Sequence, residues 1–435
     1  MTAEAVVMNK SAVAMAADSA VTISSGRQGS KTFETVNKLF ELIKGRPVGF
    51  MIYANAEING MPWETVLKSF RDANRDLSLP YLEDYVDSFS EYIKDNRDMV
   101  GPASEVRLVI DKAYNALTDI FEYVFERQES CVTNTGRLVM TRVSSLVTEA
   151  IDRAEARYEP IHDGPWTDAV GPKQIRETFG QAIDMLVGEL FGEWRLKKSI
   201  RNRLSNIAIS YITKVVPDPA ASGVVIAGFG ERDYFPKMHS VRVRGMLRNS
   251  VLSYGHEDVA IEQNYAGHLE TFAEDEEARA YISGVNSAVR KKIVEYWRGW
   301  MTDSRTEIAS TLSRFGNLTA AEKTEVEEAM SKITSDRLHE FMHHMQDHED
   351  STFVAPFLES ISFLPKDELA VLAESLVNLT SLKQRMDVQS VATVGGAIDV
   401  ALISRGDGFV WLKRKHYFSS ELNPSWHMTH RGTLQ

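Results

Sequence analysis

Cysteine is nearly missing from this chain, since Cys131 stands alone in 435 residues. No intramolecular disulfide can form, and without a nearby histidine in sequence the thiol reads as structural rather than reactive. Clusters of positive charge are missing too. Forty-nine Lys and Arg are set against 61 Asp and Glu, a formal charge of −12, so no nucleic-acid partner is expected. No apolar run approaches the roughly 20 residues of a membrane span. The N-terminus lacks a basic region followed by an apolar core, so it does not read as a secretory signal. A cytoplasmic protein without a membrane partner is the expectation. There is no internal repeat, and Gly26-Arg27-Gln28-Gly29-Ser30 lacks the Lys-Ser/Thr ending of a phosphate-binding loop. Neither a cofactor nor an ATPase partner can be read from the chain.

What is present divides by period into strand-rich ends and a helical middle. Ala3 to Met8 and Ala12 to Asp18 are apolar runs joined at Asn9-Lys10-Ser11, which predicts a hairpin. After a Gly/Ser-rich loop, Lys38 to Ile43 and Val48 to Asn55 predict a second. From Pro62 to about Val216 the apolar residues recur at helical spacing, as in Trp63, Val66, Leu67 and Phe70. Strand signals return at Gly223 to Phe229 and at His239 to Val243. Helices are predicted again from about Glu274 to Leu382, and a last hairpin joins Ala397 to Ser404 with Gly408 to Lys413. Strands at both ends with helices between them predict an α+β fold, a layered α/β/β/α sandwich of antiparallel sheets carrying large helical insertions. Residues 1–61, 217–273 and 387–418 would form its core, 62–216 a helical insertion, 274–386 a helical segment partly covering the core, and 419–435 a polar tail.

Thr2 follows the initiator Met, which is normally trimmed when its neighbour is small. A threonine exposed in this way carries a hydroxyl and a free α-amine on one residue, a self-contained nucleophile and base. By itself such a residue means little, and Asp18 and Lys38 taken singly read as a turn residue and a solvated strand-edge lysine.

In combination they carry more. Thr2, the Ala16-Ala17-Asp18-Ser19 hairpin end, Val21-Thr22, and Asn37-Lys38-Leu39-Phe40 followed by Met51-Ile52-Tyr53-Ala54 resemble the N-terminal signature of proteasome β-type N-terminal-nucleophile hydrolases. Ile226-Ala227-Gly228-Phe229-Gly230 and Val394-Gly395-Gly396-Ala397-Ile398-Asp399-Val400 resemble that family's later strands. The resemblance covers about half the chain and implies an enlarged, divergent member. It implies Thr2 as nucleophile, Lys38 as the fixed positive charge beside it, Asp18 as the partner holding Lys38, and Thr22 as a binding residue. An amide at the strand end Ala54-Asn55 would be the oxyanion donor, although the family usually has Gly where Ala54 stands. The substrate would be a peptide or another amide. The assembly would be a homo-oligomer, with a ring as one form the resemblance implies.

Two other readings remain open on the sequence. A member that retains Met1 would be a catalytically silent scaffold or assembly subunit. His339-Glu340-Phe341-Met342-His343 is a literal HExxH, whose histidines could bind zinc with Glu340 as general base. Glu359, His344, Asp347 or His348 would then supply a third ligand. Its polar surroundings equally describe the solvated face of a helix.

Overall fold

The computed structural model describes residues 3–24, 30–33, 36–96, 99–132, 139–273, 276–315, 319–386, 395–416, 418 and 422–423. Thr2 and most of the polar tail lie outside them. In chain order the strands begin with β1 (Ala3–Asn9), β2 (Val13–Ala17), β3 (Val21–Ser24), β4 (Ser30–Phe33), β5 (Leu39–Glu41), β6 (Val48–Ala54), β7 (Glu57–Ile58) and β8 (Met61–Pro62). Helices α1 (Trp63–Ala73), α2 (Leu82–Asp95), α3 (Pro102–Arg127), α4 (Met140–Tyr158), α5 (Pro172–Phe191) and α6 (Lys198–Thr213) follow. Then come β9 (Ser222–Gly228), β10 (Lys237–Leu247), β11 (Ser250–Ala260) and β12 (Gly267–Ala273). Helices α7 (Glu276–Ser283), α8 (Ser287–Phe315), α9 (Ala320–Glu349), α10 (Ala355–Phe363) and α11 (Lys366–Met386) precede β13 (Asp399–Ser404) and β14 (Gly408–Lys413). The fold is α+β with antiparallel ladders. No described helix is long and apolar enough to cross a membrane.

Local signals account for several boundaries. Helices α3 and α5 each open with a proline behind a glycine, Gly101-Pro102 and Gly171-Pro172, where the missing N–H costs nothing and φ is preset. Helix α9 opens with a capping box, in which Glu322 N donates to Thr319 Oγ1 and Thr319 N to Glu322 Oε2. Between β10 and β11, Arg248 and Asn249 both have positive φ, the backbone of a two-residue I′ turn whose twist matches the strands it joins. Where the sequence reads as a Gly/Ser-rich loop after β3, residues 30–33 instead form β4, paired antiparallel with β3.

Contacts divide the chain into two compact units, Met1–Leu39 with Ala260–Gln435, and Phe40–Val259. The first unit holds a sheet of order β12-β1-β2-β13-β14. Its strands β1 and β2 are buried throughout. One face carries Ala3, Ala5, Val7, Ala12, Ala14 and Ala16, packed against Leu369, Ala373, Leu376 and Val377 of α11. These small side chains let the helix lie close on the strands. Asn9 ties α10 to the same sheet, its Nδ2 donating to the carbonyls of Ile361 and Leu364 at 3.1 and 2.9 Å and capping orphan acceptors of that helix end.

The second unit is continuous in sequence. Most of its sheet, of order β11-β10-β9-β6-β5, buries Phe50, Ile52, Val224, Ile226 and Val243 under Trp63, Phe70, Leu82, Tyr85 and Phe89 of α1 and α2. Helices α3 to α6 form a second core around Val109, Leu117, Val147, Ile151, Ile183 and Leu204. Cys131 is buried. Inside this unit the Lys112 ammonium lies 2.5 Å from Asp218 Oδ2, and Arg244 Nε lies 3.6 Å from the same oxygen. Burial lowers the Lys112 pKa, and Asp218 opposes that shift. Arg244 also donates to the carbonyls of Tyr211 and Lys214.

Candidate active site

Side chains alternate across a strand. Glu4 therefore points away from the face of β1 that α11 covers. It is the one charged residue of that strand and is buried. A carboxylate there needs a partner, and Lys38 supplies it. The Lys38 ammonium lies 3.2 Å from Glu4 Oε1 and in closer contact with Asp18 Oδ1. All three side chains are buried.

Backbone geometry fixes Asp18 in turn. The β2 strand ends at Ala17, and Asp18 N donates to the carbonyl of Ala3 at 3.1 Å. Asp18 Oδ1 accepts from Ala3 N at 3.3 Å, while Oδ2 accepts from Gly395 N at 3.0 Å. Ser19 N donates to Gly395 O at 3.3 Å, and the Ser19 hydroxyl donates to the Ala397 carbonyl. One carboxylate thus joins the beginning of β1, the end of β2, the segment leading into β13, and Lys38. Two cation–carboxylate contacts in a buried site hold the ammonium in a single position. The residue bonded directly before Ala3 is Thr2.

Asp18 and Lys38 are therefore brought together. Glu4 and Gly395 join them as partners that the sequence reading had not assigned. A lone carboxylate inside the apolar run Ala3-Glu4-Ala5-Val6-Val7 was the available signal for the first. Thr22 lies on β3, opposite Thr32 of β4.

Ala54 and Asn55 belong to the second unit, at the end of β6. Ala54 has φ +62°, a left-handed conformation that glycine adopts without steric cost. This explains physically why a glycine is natural at that position. Asn55 Nδ2 donates to the Ala220 carbonyl at 3.1 Å, and its Oδ1 accepts from Glu57 N at 3.2 Å, so its side chain braces the turn.

His339, Glu340 and His343 lie exposed on α9. Glu340 Oε2 accepts from Arg337 at 2.6 Å, and His343 Nδ1 lies 3.0 Å from Asp347. Among the described residues no group of three or more His, Cys, Asp or Glu is placed to hold an ion. The stretch is a solvated, charged helix face.

No protein-family model matches the chain, and no curated protein matches it in sequence. Among solved structures it is similar to the "Anbu (Gly-1) mutant" from Hyphomicrobium sp. strain MC1, at 9% identity and a TM-score of 0.25, over 99% of this chain and 96% of that one. That likeness is distant.

Proposed function

We propose that the chain is a threonine-type N-terminal-nucleophile hydrolase of the proteasome-like kind, with the layered α/β/β/α architecture that its sequence resemblance implies. The observation that carries the reading is the buried Lys38 ammonium, held by Asp18 and Glu4 at the start of the strand that Thr2 precedes. Once Met1 is removed, the Thr2 hydroxyl attacks an amide carbonyl while the Thr2 α-amine takes its proton. An α-amine near ~7.7–8.0 suits that task at neutral pH where a lysine amine does not. Lys38 contributes a fixed positive charge that stabilises the developing alkoxide and lowers the α-amine pKa. The protonated amine returns its proton to the departing amine, leaving an ester on Thr2 Oγ. Water then cleaves the ester and restores the threonine. An amide at Ala54-Asn55 is the proposed oxyanion donor and Thr22 a substrate contact.

Peptides are the preferred substrate class, with other amides as the alternative. A homo-oligomer fits the exposed apolar side chains of α8, Tyr296, Trp300 and Ile308. Intact mass and N-terminal sequencing of the purified chain test the reading. A chain beginning at Thr2, modified at that residue by a peptide epoxyketone, is the expected result. Quantitative retention of Met1 defeats it and leaves a scaffold role.

A further inference from the structure

Strand alternation in the second unit carries polar side chains onto the face of the sheet that α1 and α2 cover. Val224, Ile226 and Val243 belong to the core beneath those helices, and Val241 on β10 and Val251 on β11 pack against it. Two-residue steps put His239 on the face of Val241 and Ser253 on the face of Val251, while Leu252 joins the other core, among α3 to α6. A cavity of about 440 Å³ lies on this face, walled by Phe89, Ile93, Trp166 and Val241 and bordered by Ser253, His239 and His256. Its volume is in the range of small-molecule sites.

On a regular strand, the spacing of Ser253 and His256 would turn their side chains to opposite faces. Gly255 between them has φ +61°, a left-handed conformation natural to glycine that breaks the alternation, and Ser253 Oγ lies 3.1 Å from His256 Nε2. That is the reach of a nucleophile and its base. Burial and the neighbouring His239 lower the His256 pKa, with Asp258 opposing them, so at neutral pH the imidazole is free to take a proton. The His239 ring is 5.7 Å from that of His256, and its Nδ1 contacts Asp258. Strand β11 is an edge of its sheet, and an edge strand carries N–H groups without ladder partners, the kind of donor an oxyanion takes. We propose that Ser253 and His256 form a nucleophilic site, independent of Thr2 and of the Lys38 cluster, that hydrolyses small carboxylic esters whose apolar acyl chain lies in the cavity. Ser253 Oγ attacks the ester carbonyl while His256 Nε2 takes the hydroxyl proton. The bond to the alcohol oxygen then breaks, His256 returns the proton to the departing alcohol, and the acyl group stays on Ser253. Water, deprotonated by the same imidazole, cleaves that ester, releases the acid and restores the serine.

The test uses the full chain carrying Thr2→Ala, which removes the other proposed nucleophile. An alkyl fluorophosphonate, which a serine attacks at phosphorus with loss of fluoride, should label Ser253, read by peptide mass spectrometry. Turnover of 4-nitrophenyl hexanoate should exceed that of the acetate about tenfold in kcat/KM, because the longer chain enters the cavity. Adding Ser253→Ala should remove both label and turnover, and adding His256→Gln should slow labelling about 100-fold, each with the circular dichroism spectrum unchanged. Absence of label on Ser253 overturns the proposal. So does undiminished turnover in a folded Ser253→Ala protein, or an unchanged labelling rate in a folded His256→Gln protein. If a variant fails to fold, the site of labelling and the preference for the longer ester decide.

Discussion

Glu4 and Lys38 stand 3.2 Å apart in a site closed to solvent, one on β1, an interior strand of its sheet, and the other just ahead of β5. Asp18 shares the same ammonium. Removing Lys38 leaves two carboxylates buried without their cation. Lys38→Met should destabilise the fold by about 3–5 kcal/mol, read as a lower midpoint in urea denaturation. Glu4→Gln keeps the Asp18 contact and should cost less.

If Thr2 is the nucleophile, its chemistry and the stability of the fold separate. Thr2→Ala should abolish hydrolysis of fluorogenic peptides while leaving the urea midpoint within about 0.5 kcal/mol of the parent. Thr2→Ser retains a hydroxyl and an α-amine and should keep measurable turnover. An active Thr2→Ala protein would rule the mechanism out.

His268 gives the fold a pH dependence of its own. It lies on β12, its Nδ1 2.7 Å from the Tyr265 hydroxyl, and burial lowers its pKa to about 4. The unfolded ring protonates near 6.5. Between those values the unfolded chain holds more protons, so stability is fully present above pH 6.5 and is lost as pH falls towards 4. The contribution is about 3 kcal/mol. Denaturation midpoints measured from pH 7.5 to 4.5 should show the decline, and His268→Gln should flatten it.

Ala54 occupies a conformation that its Cβ disfavours. Ala54→Gly should be neutral to stabilising, by up to about 1 kcal/mol, because relief of strain outweighs the added freedom of the unfolded chain. Ala54→Val should cost about 1–3 kcal/mol. Melting temperatures of the two variants on opposite sides of the parent would verify the conformation.

In the second unit, Asp218 faces two buried cations, Lys112 and Arg244. Asp218→Ala strands both and should cost about 3–5 kcal/mol, whereas Lys112→Met leaves the Arg244 contact in place and should fall within about 1 kcal/mol of the parent. Equal losses in the two variants would contradict this asymmetry.

These residues also show where sequence is legible. Hairpin β1/β2 and the pair β13/β14 announce themselves as apolar runs around polar turns, and the helices as recurrent apolar spacing. Asp18 against Lys38 is an expectation of the family resemblance, since each residue taken singly reads as a turn residue or a solvated lysine. Glu4 could not, since its role depends on which face of β1 meets Lys38, and that is decided by pairing with β12 and β2. Strand β11 is not legible in sequence because its second half, from Gly255 on, is polar and largely exposed. Its turn uses Arg248-Asn249 without the usual glycine. In β12, Gly267-His268-Leu269-Glu270 alternates too briefly to register as a strand.

The register of β1 sets an order of events during synthesis. Ala3 pairs with Ala273, so β1 waits for one of its neighbours until the whole of residues 40–259 has been made. Residues 40–259 form a continuous unit and can reach their own contacts meanwhile. The site around Lys38 matures later still, since Gly395 N, a donor to Asp18, is made after all of them. Lys38 therefore leaves the ribosome long before the last backbone donor that fixes its partner Asp18.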